Sequence, residues 1–254
     1  IRTELEWEDL ILSEKTFSQI KALEDWLTYN KRLMEDWGLK RSVKPGYRVM
    51  FFGPPGTGKT LTAGLLGKYT GKDVYRVDLS LVVSKYIGET EKNLSRLFQK
   101  ASGKSWILFF DEADALFGKR TNVKDARDKH SNQEVAYLLQ RIEAYPEMVI
   151  LASNYKSNLD TAFIRRFQTI IDFEPPGVSE RLALWKQYLP KKIALDSRLV
   201  LEDLARKYPL TGANIVNIIQ QVGLKTMAGK HKEIKEELLI QCIRYEIQKE
   251  GKIH

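Results

Sequence analysis

Short apolar runs alternate with amphipathic stretches through the first two thirds of this 254-residue chain. The runs are nearly continuous in apolar side chains, which is typical of strands that are covered on both faces. Stretches with helical spacing, such as residues 59–69 and 132–145, lie between them. The alternation predicts an α/β fold in which helices sandwich a parallel five-stranded sheet. The predicted strands are residues 48–52, 74–78, 106–110, 148–152 and 169–173.

The pattern changes on both sides of this region. Residues 14–37 have the spacing of one long helix, within an N-terminal helical segment of residues 1–46. After "EPPG" at 174–177 the spacing is helical only, and Thr211 and Gly229 are suitable residues to begin and end one helix. We therefore expect an α/β domain over residues 1–175 and a small all-helical domain over residues 176–254. The predicted helices of the second domain are 179–189, 201–208, 211–229 and 234–250.

Composition restricts the class of protein. No apolar run approaches the ~20 residues that a membrane-spanning helix needs. Cys242 is the only cysteine, so no internal disulfide can form, and we expect a reducing, cytoplasmic compartment. The acidic start "IRTELEWEDL" does not resemble a signal peptide and lacks an initiator Met. We expect a fragment of a longer protein rather than a processed chain.

The formal net charge of +8 allows two interpretations. A basic balance is compatible with nucleic-acid binding. The charges are interspersed, however, and the chain has no polybasic block. This distribution favours a solvated, lysine-rich surface.

One segment, "GPPGTGKT" at 53–60, satisfies the pattern G-x-x-x-x-G-K-[ST] between a predicted strand and a predicted helix. Glycines let backbone N–H groups surround phosphate oxygens, and the helix adds the positive end of its dipole. Lys59 would reach the β- and γ-phosphates, and the Thr60 hydroxyl would ligate Mg²⁺. The alternative is a simple Gly/Pro-rich turn, which does not explain the strand and helix around it. The predicted nucleotide-binding residues are Gly53, Pro54, Pro55, Gly56, Thr57, Gly58, Lys59, Thr60 and Leu61.

An acidic pair, Asp111-Glu112, follows the apolar run "ILFF". Ligands of α/β sheets bind at the carboxyl ends of the strands, where this pair would lie. Asp111 is predicted to hold Mg²⁺ through water, and Glu112 to act as the general base on the attacking water. The alternative is a carboxylate that caps the next helix.

Two further features have both a functional and a plain interpretation. Asn154 ends the strand "VILAS" and would orient water beside the γ-phosphate, or it is only a turn residue. Arg165 and Arg166 precede the last strand, and an arginine there could stabilise the transferred phosphate. Their plain interpretation is a surface salt bridge.

The order of these motifs resembles the AAA+ ATPases, specifically the AAA clade that remodels proteins, over nearly the whole chain. "GPPGTGKT" and "LFFDEAD" match Walker A and Walker B, "LASN" matches the sensor-1 strand, and "LDTAFIRRF" resembles the spastin and katanin type of second region of homology. "WEDLIL", with Asp9, resembles the segment that borders the adenine. "LTGANI", with Gly212 and Ala213, resembles the lid segment that touches the nucleotide. Asn214 replaces the usual acidic residue, and no sensor-2 arginine is evident.

The resemblance implies that ATP binds with Mg²⁺ between the α/β domain and the helical lid. It also implies that Arg165 and Arg166 act on a neighbour's nucleotide in a homo-oligomeric ring, usually a hexamer. Lys85, Tyr86, Ile87 and Gly88 in "VSKYIGE" then lie on a loop that grips a polypeptide in the central pore. Gly88 gives this loop its bend. The alternative is that Tyr86 is a core aromatic residue at the end of a helix.

A second predicted pore loop is the basic segment 117–134, which would favour acidic stretches of a substrate, unless it is only a solvated loop. Its charged residues are Lys119, Arg120, Lys124, Asp125, Arg127, Asp128, Lys129 and His130. This segment, "VSKYIGETEKNL" and "ILFFDEADALFGKR" together resemble bacterial AAA ATPases encoded with extracellular contractile injection particles.

The function that the resemblance implies is Mg²⁺-dependent ATP hydrolysis that drives the remodelling, unfolding or disassembly of a protein through a ring pore. Two other classes stay open. A nucleic-acid remodeller is compatible with the net charge, but the Tyr-Ile-Gly loop and the lack of an appended DNA-binding motif argue against it. A scaffold that binds ATP as a structural ligand is opposed by the intact acidic and arginine pairs.

Overall fold

A computed structural model of the chain describes residues 1–82, 89–114, 126–154, 161–249 and 251. Its backbone forms two compact units. The first comprises residues 1–10, 14–54 and 59–173, and the second comprises residues 11–13, 55–58 and 174–254.

A parallel five-stranded sheet is the centre of the first unit, in the order β2-β3-β4-β1-β5. The sequence prediction of an α/β fold of the P-loop NTPase type is confirmed. All five predicted runs are strands, and their ends differ from the prediction by one residue at most. The strands are β1 Tyr47–Phe52, β2 Val74–Asp78, β3 Ile107–Asp111, β4 Met148–Ser153 and β5 Thr169–Asp172.

Helices pack on both faces of this sheet because successive strand side chains point to opposite faces. Met50 and Phe52 of β1 pack in one core with residues of α4 and α5, such as Phe98 and Leu138. Phe51 points the other way and packs against Phe173, with ring centroids 4.8 Å apart. On that face α2 contacts β2, β3 and β4, and α1 contacts α2 and β5. The helices are α1 Glu14–Asp36, α2 Lys59–Thr70, α3 Leu79–Val82, α4 Glu89–Ala101, α5 Ala126–Ala144 and α6 Thr161–Ile164, with 3₁₀ turns at Trp7–Asp9 and Leu39–Arg41.

The second unit is mainly helical and has its own core, which includes the buried side chains of Trp185, Ile218 and Leu239. Its helices are α7 Val178–Tyr188, α8 Leu201–Lys207, α9 Gly212–Ala228 and α10 Glu236–Lys249. Thr211 is the N-cap of α9, as predicted, and its hydroxyl accepts a hydrogen bond from the Asn214 N–H. The expectation of helices alone needs one addition. β6 Ala194–Leu195 pairs in parallel with β7 Glu233–Ile234, and two-residue strands are too short to give an alternating pattern.

Within the described ranges, none of the helices is long and apolar enough to cross a lipid bilayer.

The exit from β1 requires glycine at position 53. Gly53 has φ +148°, and an added Cβ would lie 2.2 Å from the Phe173 carbonyl oxygen. Gly71, after α2, also has a positive φ, of +65°, but an added Cβ there would meet no atom within 4 Å. A side chain would therefore be strained at both positions, and it would also overlap other atoms at position 53.

We predict that Gly53→Ala lowers the free energy of unfolding by at least about 2 kcal/mol more than Gly71→Ala, because only the first adds overpacking to the strain. Chemical denaturation of both variants measures the difference. Equal losses at the two positions would contradict the close packing of Gly53 on Phe173.

Candidate nucleotide site

The 53–60 loop connects β1 to α2, as the pattern G-x-x-x-x-G-K-[ST] predicts. At its start the Gly53 N–H donates to the Ser153 carbonyl oxygen at 3.2 Å, which ties the loop to the end of β4. At its end Thr60 lies in the first turn of α2. The N-terminus of α2 adds its dipole to the loop, and it favours an anion there.

Lys59, the first residue of α2, is buried, with 8% of its surface exposed. Its ammonium donates to the carbonyl oxygens of Gly53 and Pro54 and to Asn154 Oδ1, the last two at 2.9 and 3.1 Å. Burial lowers the pKa of Lys59, and the nearby negative charges of Asp111 and Asp114 oppose that shift. An ammonium has three hydrogens, so a phosphate oxygen would have to replace one of these three acceptors.

The tip of the loop belongs to the second unit. An added Cβ at Gly56 would lie 2.7 Å from the Ala213 Cβ and 2.8 Å from Thr211 Oγ1, so only glycine fits there. The Gly212 backbone approaches the Gly56 carbonyl oxygen closely. The structure thus brings together the predicted loop residue Gly56 and the predicted lid residues Gly212 and Ala213.

Asn214, the residue that follows Ala213, is buried. Its side-chain Oδ1 accepts from the Thr211 N–H, and its Nδ2 donates to Glu246 Oε1 on α10 at 3.3 Å. Asn217 Nδ2 donates to the same carboxylate oxygen at 2.9 Å. Asn214 therefore closes the capping box of α9 and joins α9 to α10.

Asp111 and Glu112 lie at the carboxyl end of β3, where the sequence predicts them. The Asp111 carboxylate is largely covered, since 15% of the side chain is exposed. Its Oδ1 accepts from the Glu112 N–H at 3.0 Å, and its Oδ2 pairs with Arg76 on β2 at 2.7 Å. Carboxylate and hydroxyl oxygens are the ligands that Mg²⁺ prefers, so Asp111 and Thr60 have suitable chemistry for this ion.

Glu112 has an unusual backbone conformation, with φ +53°. Positive φ is uncommon for a residue with a Cβ and costs about 1–2 kcal/mol. The side chain of Glu112 is exposed, and the next residue is tied to β4 because the Ala113 N–H donates to the Ala152 carbonyl oxygen at 3.0 Å. Backbone strain held in place by surrounding bonds is typical of functional sites.

Sequence reasoning missed Asp114. Its carboxylate accepts hydrogen bonds from the Ser153 hydroxyl and from the Asn154 N–H, the latter at 3.0 Å to Oδ2. Asn154 is thereby fixed at the end of β4, where its side chain accepts from Lys59. In the sequence, Asp114 is recognisable only as the last acidic residue of "DEAD". The pairing of β3 with β4 is needed to show that its carboxylate faces the end of β4.

The two predicted arginines lie side by side, and an ion pair is described for Arg166. Both are exposed at the end of α6, before β5. Arg166 makes an ion pair with Glu143 of α5 at 2.5 Å, and about 45% of each side chain is accessible to solvent. Arg166 thus fits the plain interpretation of a surface salt bridge, which contributes little to stability and breaks readily.

Asp9 forms part of a 3₁₀ turn in the N-terminal segment. Its Oδ2 accepts from the Glu6 N–H at 2.8 Å. Next to it the buried Trp7 packs edge-on against Phe17 of α1 and beside Tyr69 of α2. These contacts hold the segment against the two helices, and the predicted adenine contact of Asp9 stays a prediction.

Both predicted pore loops fall largely outside the described residues. Lys85, Tyr86, Ile87 and Gly88 lie there, as does the basic segment from 117 to 125. Residues 126–134 begin α5, but the side chains of Arg127, Asp128, Lys129 and His130 are not described.

A parallel sheet with the 53–60 loop after β1, a buried lysine and acidic residues after β3 defines the P-loop class of nucleotide-binding proteins. The profile of the ATPase family associated with various cellular activities (AAA) matches residues 49–175, half of the chain. The chain belongs to this family.

Two curated relatives agree with this assignment. Cell division protein C of Sulfolobus acidocaldarius is 30% identical over 236 residues, which cover 87% of this chain and 63% of the relative. The 26S proteasome regulatory subunit 7 of Dictyostelium discoideum is 30% identical over 209 residues, which cover 79% of this chain and 49% of the relative. The chain thus spans about half to just under two thirds of the length of these relatives.

The positive φ of Glu112 predicts an unusual order of stability for two variants at this position. Glycine is normally less favourable than alanine, but at positive φ it avoids the Cβ clash. We predict that Glu112→Gly is more stable than Glu112→Ala, by up to about 1 kcal/mol. Chemical denaturation of the two variants measures this difference in the free energy of unfolding. A less stable Glu112→Gly would contradict the strained conformation.

Proposed function

We propose that this chain hydrolyses ATP in the presence of Mg²⁺ and, as a ring, uses the energy to remodel, unfold or disassemble a protein. The observation that carries the proposal is the hydrogen bond between Lys59 and Asn154, at 3.1 Å, beside the Asp111-Glu112 pair. It supports the proposal because an ammonium suited to bind phosphate and an amide suited to orient water touch, and the exposed Glu112 carboxylate lies at the end of the neighbouring strand β3.

The phosphate and metal roles follow from charge and donor type. The backbone N–H groups of the 53–60 loop and the Lys59 ammonium would neutralise the phosphates. Thr60 and Asp111 would hold Mg²⁺, which would offset the negative charge of the phosphates. Arg76 already pairs with Asp111 Oδ2, so Asp111 would share its charge between Arg76 and the metal shell.

The water that attacks the γ-phosphate would be oriented by Asn154 and deprotonated by Glu112. The Glu112 side chain is exposed, so a water molecule can reach its carboxylate. Asp111 is committed to Arg76 and to the Glu112 N–H, which leaves Glu112 as the better base.

A matched set of variants tests this division of roles. We predict that Glu112→Gln binds ATP with unchanged affinity but turns it over at least about 100-fold more slowly, because the amide cannot accept the proton. Lys59→Ala should lose ATP affinity instead. Calorimetry and steady-state turnover measure the two effects, with the exposed Glu91→Gln on α4 as the control. Normal turnover by Glu112→Gln would show that Glu112 is not the base.

A ring is proposed because Arg165 and Arg166 are exposed cations, which suits action on a neighbour's nucleotide. The weak pair of Arg166 with Glu143 can be exchanged for a phosphate at little cost. The AAA family and the relative named as a proteasome subunit support an assembly of this kind that acts on proteins. Lys85, Tyr86, Ile87 and Gly88 would contact the substrate.

Mixing of inactive variants tests the shared site. Lys59→Ala lacks its own phosphate site but keeps both arginines, whereas the double variant Arg165→Ala with Arg166→Ala keeps the phosphate site. We predict that each is inactive alone, that their mixture regains turnover, and that turnover per chain rises with concentration as the mass measured with ATP increases. A mixture of Lys59→Ala with Glu112→Gln is the control and should stay inactive. No recovery in mixed assemblies would contradict action between subunits.

A cytoplasmic location and the resemblance to bacterial ATPases encoded with contractile injection particles remain predictions from sequence.

A further inference from the structure

We propose that Asp114 is a positioning residue: it locks the end of β4 to the turn after β3, and so aims the Asn154 side chain at the site where the γ-phosphate meets Lys59. This inference rests on the proposed function for its catalytic consequence. Its structural part stands on the hydrogen bonds alone.

The first observation is the point at which the backbone pairing between β3 and β4 ends. β3 and β4 are in register from Leu108 with Val149 to Phe110 with Leu151. Past that point the Ala113 N–H still donates to the Ala152 carbonyl oxygen, after the strained turn at Glu112. The next donors along the chain are the Ser153 hydroxyl, at the end of β4, and the N–H of the following residue, Asn154, and both donate to the Asp114 side chain. The carboxylate thus continues the pairing where the main chain has turned away.

The second observation is the chemistry of these bonds. The Asn154 N–H donates to both carboxylate oxygens, at 3.2 and 3.0 Å, and the Ser153 hydroxyl donates to Oδ1. Ser153 is 2% exposed, so its hydroxyl needs a partner inside the protein. Hydrogen bonds to an ionised acceptor are stronger than neutral ones. These three hydrogen bonds therefore hold the Asn154 backbone in one position and one orientation at the end of β4.

The third observation is the contact between the Asn154 side chain and Lys59. Its Oδ1 accepts from Lys59, which also bonds the Gly53 and Pro54 carbonyl oxygens. Asn154, the residue that follows β4, therefore touches the cation that is proposed to bind phosphate. A small rotation of its backbone would carry the amide away from Lys59 and from the water that it is proposed to orient. Misplacement of this kind slows a reaction without weakening substrate binding.

A purely local role for Asp114, as the cap of the segment that follows it, makes a different prediction. In that case Asp114→Asn, which keeps an oxygen acceptor, would lower stability only and leave the site unchanged. The positioning role requires a specific loss. The amide of the variant is uncharged and has an NH₂ donor in place of one carboxylate oxygen, so the Asn154 N–H loses one of its two acceptor oxygens and the charge on the other.

The experiment uses the full chain and two independent readouts. For Asp114→Asn we expect kcat to fall about 10- to 100-fold, the range typical of residues that orient a reacting group, while the Kd for ADP stays within about threefold. We expect hydrogen exchange of the Asn154 amide in the nucleotide-free chain to speed up about tenfold or more. Ser153→Ala, which removes one hydroxyl and keeps the carboxylate, should have a smaller effect on both. The exposed Asp25→Asn on α1 is the control and should match the wild type.

The readouts separate this proposal from the proposed function. Unchanged kcat for Asp114→Asn in a chain whose wild type hydrolyses ATP overturns the positioning role and leaves the ATPase intact. A wild type without turnover overturns the ATPase proposal. In that case, unchanged exchange of the Asn154 amide in Asp114→Asn overturns the positioning role independently, and faster exchange supports it. Should Asp114→Asn not fold, the milder Ser153→Ala is judged by the same two readouts.

Discussion

The parallel pairing of β1 with β4 is the constraint on which the candidate site depends. It places Phe52 beside Ser153, so both strands end at the same level of the sheet. The Gly53 N–H then bonds the Ser153 carbonyl oxygen, and the two chains leave the sheet together. Lys59 and Asn154, 95 positions apart in sequence, meet because of this alignment. Without this alignment, Lys59 would lack its hydrogen bond to Asn154, the residue after β4.

Several residues near the carboxyl ends of β1 and β3 are in conformations or environments that lower the stability of the fold. Glu112 adopts positive φ, the Lys59 ammonium is buried, and the Asp111 carboxylate is mostly covered. Each feature is individually unfavourable, and each is compensated by specific hydrogen bonds or an ion pair. Such a concentration of local violations is expected where a site must be held ready for a ligand.

The sequence was sufficient for the sheet because buried parallel strands are short apolar runs, and for the 53–60 loop because its spacing has a mechanical reason. It was also sufficient to predict the positions of Asp111, Glu112 and Asn154, since each lies at or directly after the end of an apolar run. It could not show that Asp114 points back at β4 or that Arg76 reaches Asp111, because both contacts depend on strand order. The pairing of β6 with β7 was invisible for a different reason, since two residues carry no periodicity. The ion pair of Arg166 with Glu143 joins α5 to the end of α6, a proximity that spacing alone does not reveal.

The central claim is that the turn after β3 and the end of β4 act on the nucleotide as one unit, through Asn154. A double-mutant cycle on ATP turnover with Asp114→Asn and Asn154→Ala tests it most directly. The account predicts that the double variant is no slower than the slower single variant, within about twofold, because Asp114 acts only through Asn154. Losses that multiply, as they do for independent sites, would contradict the account.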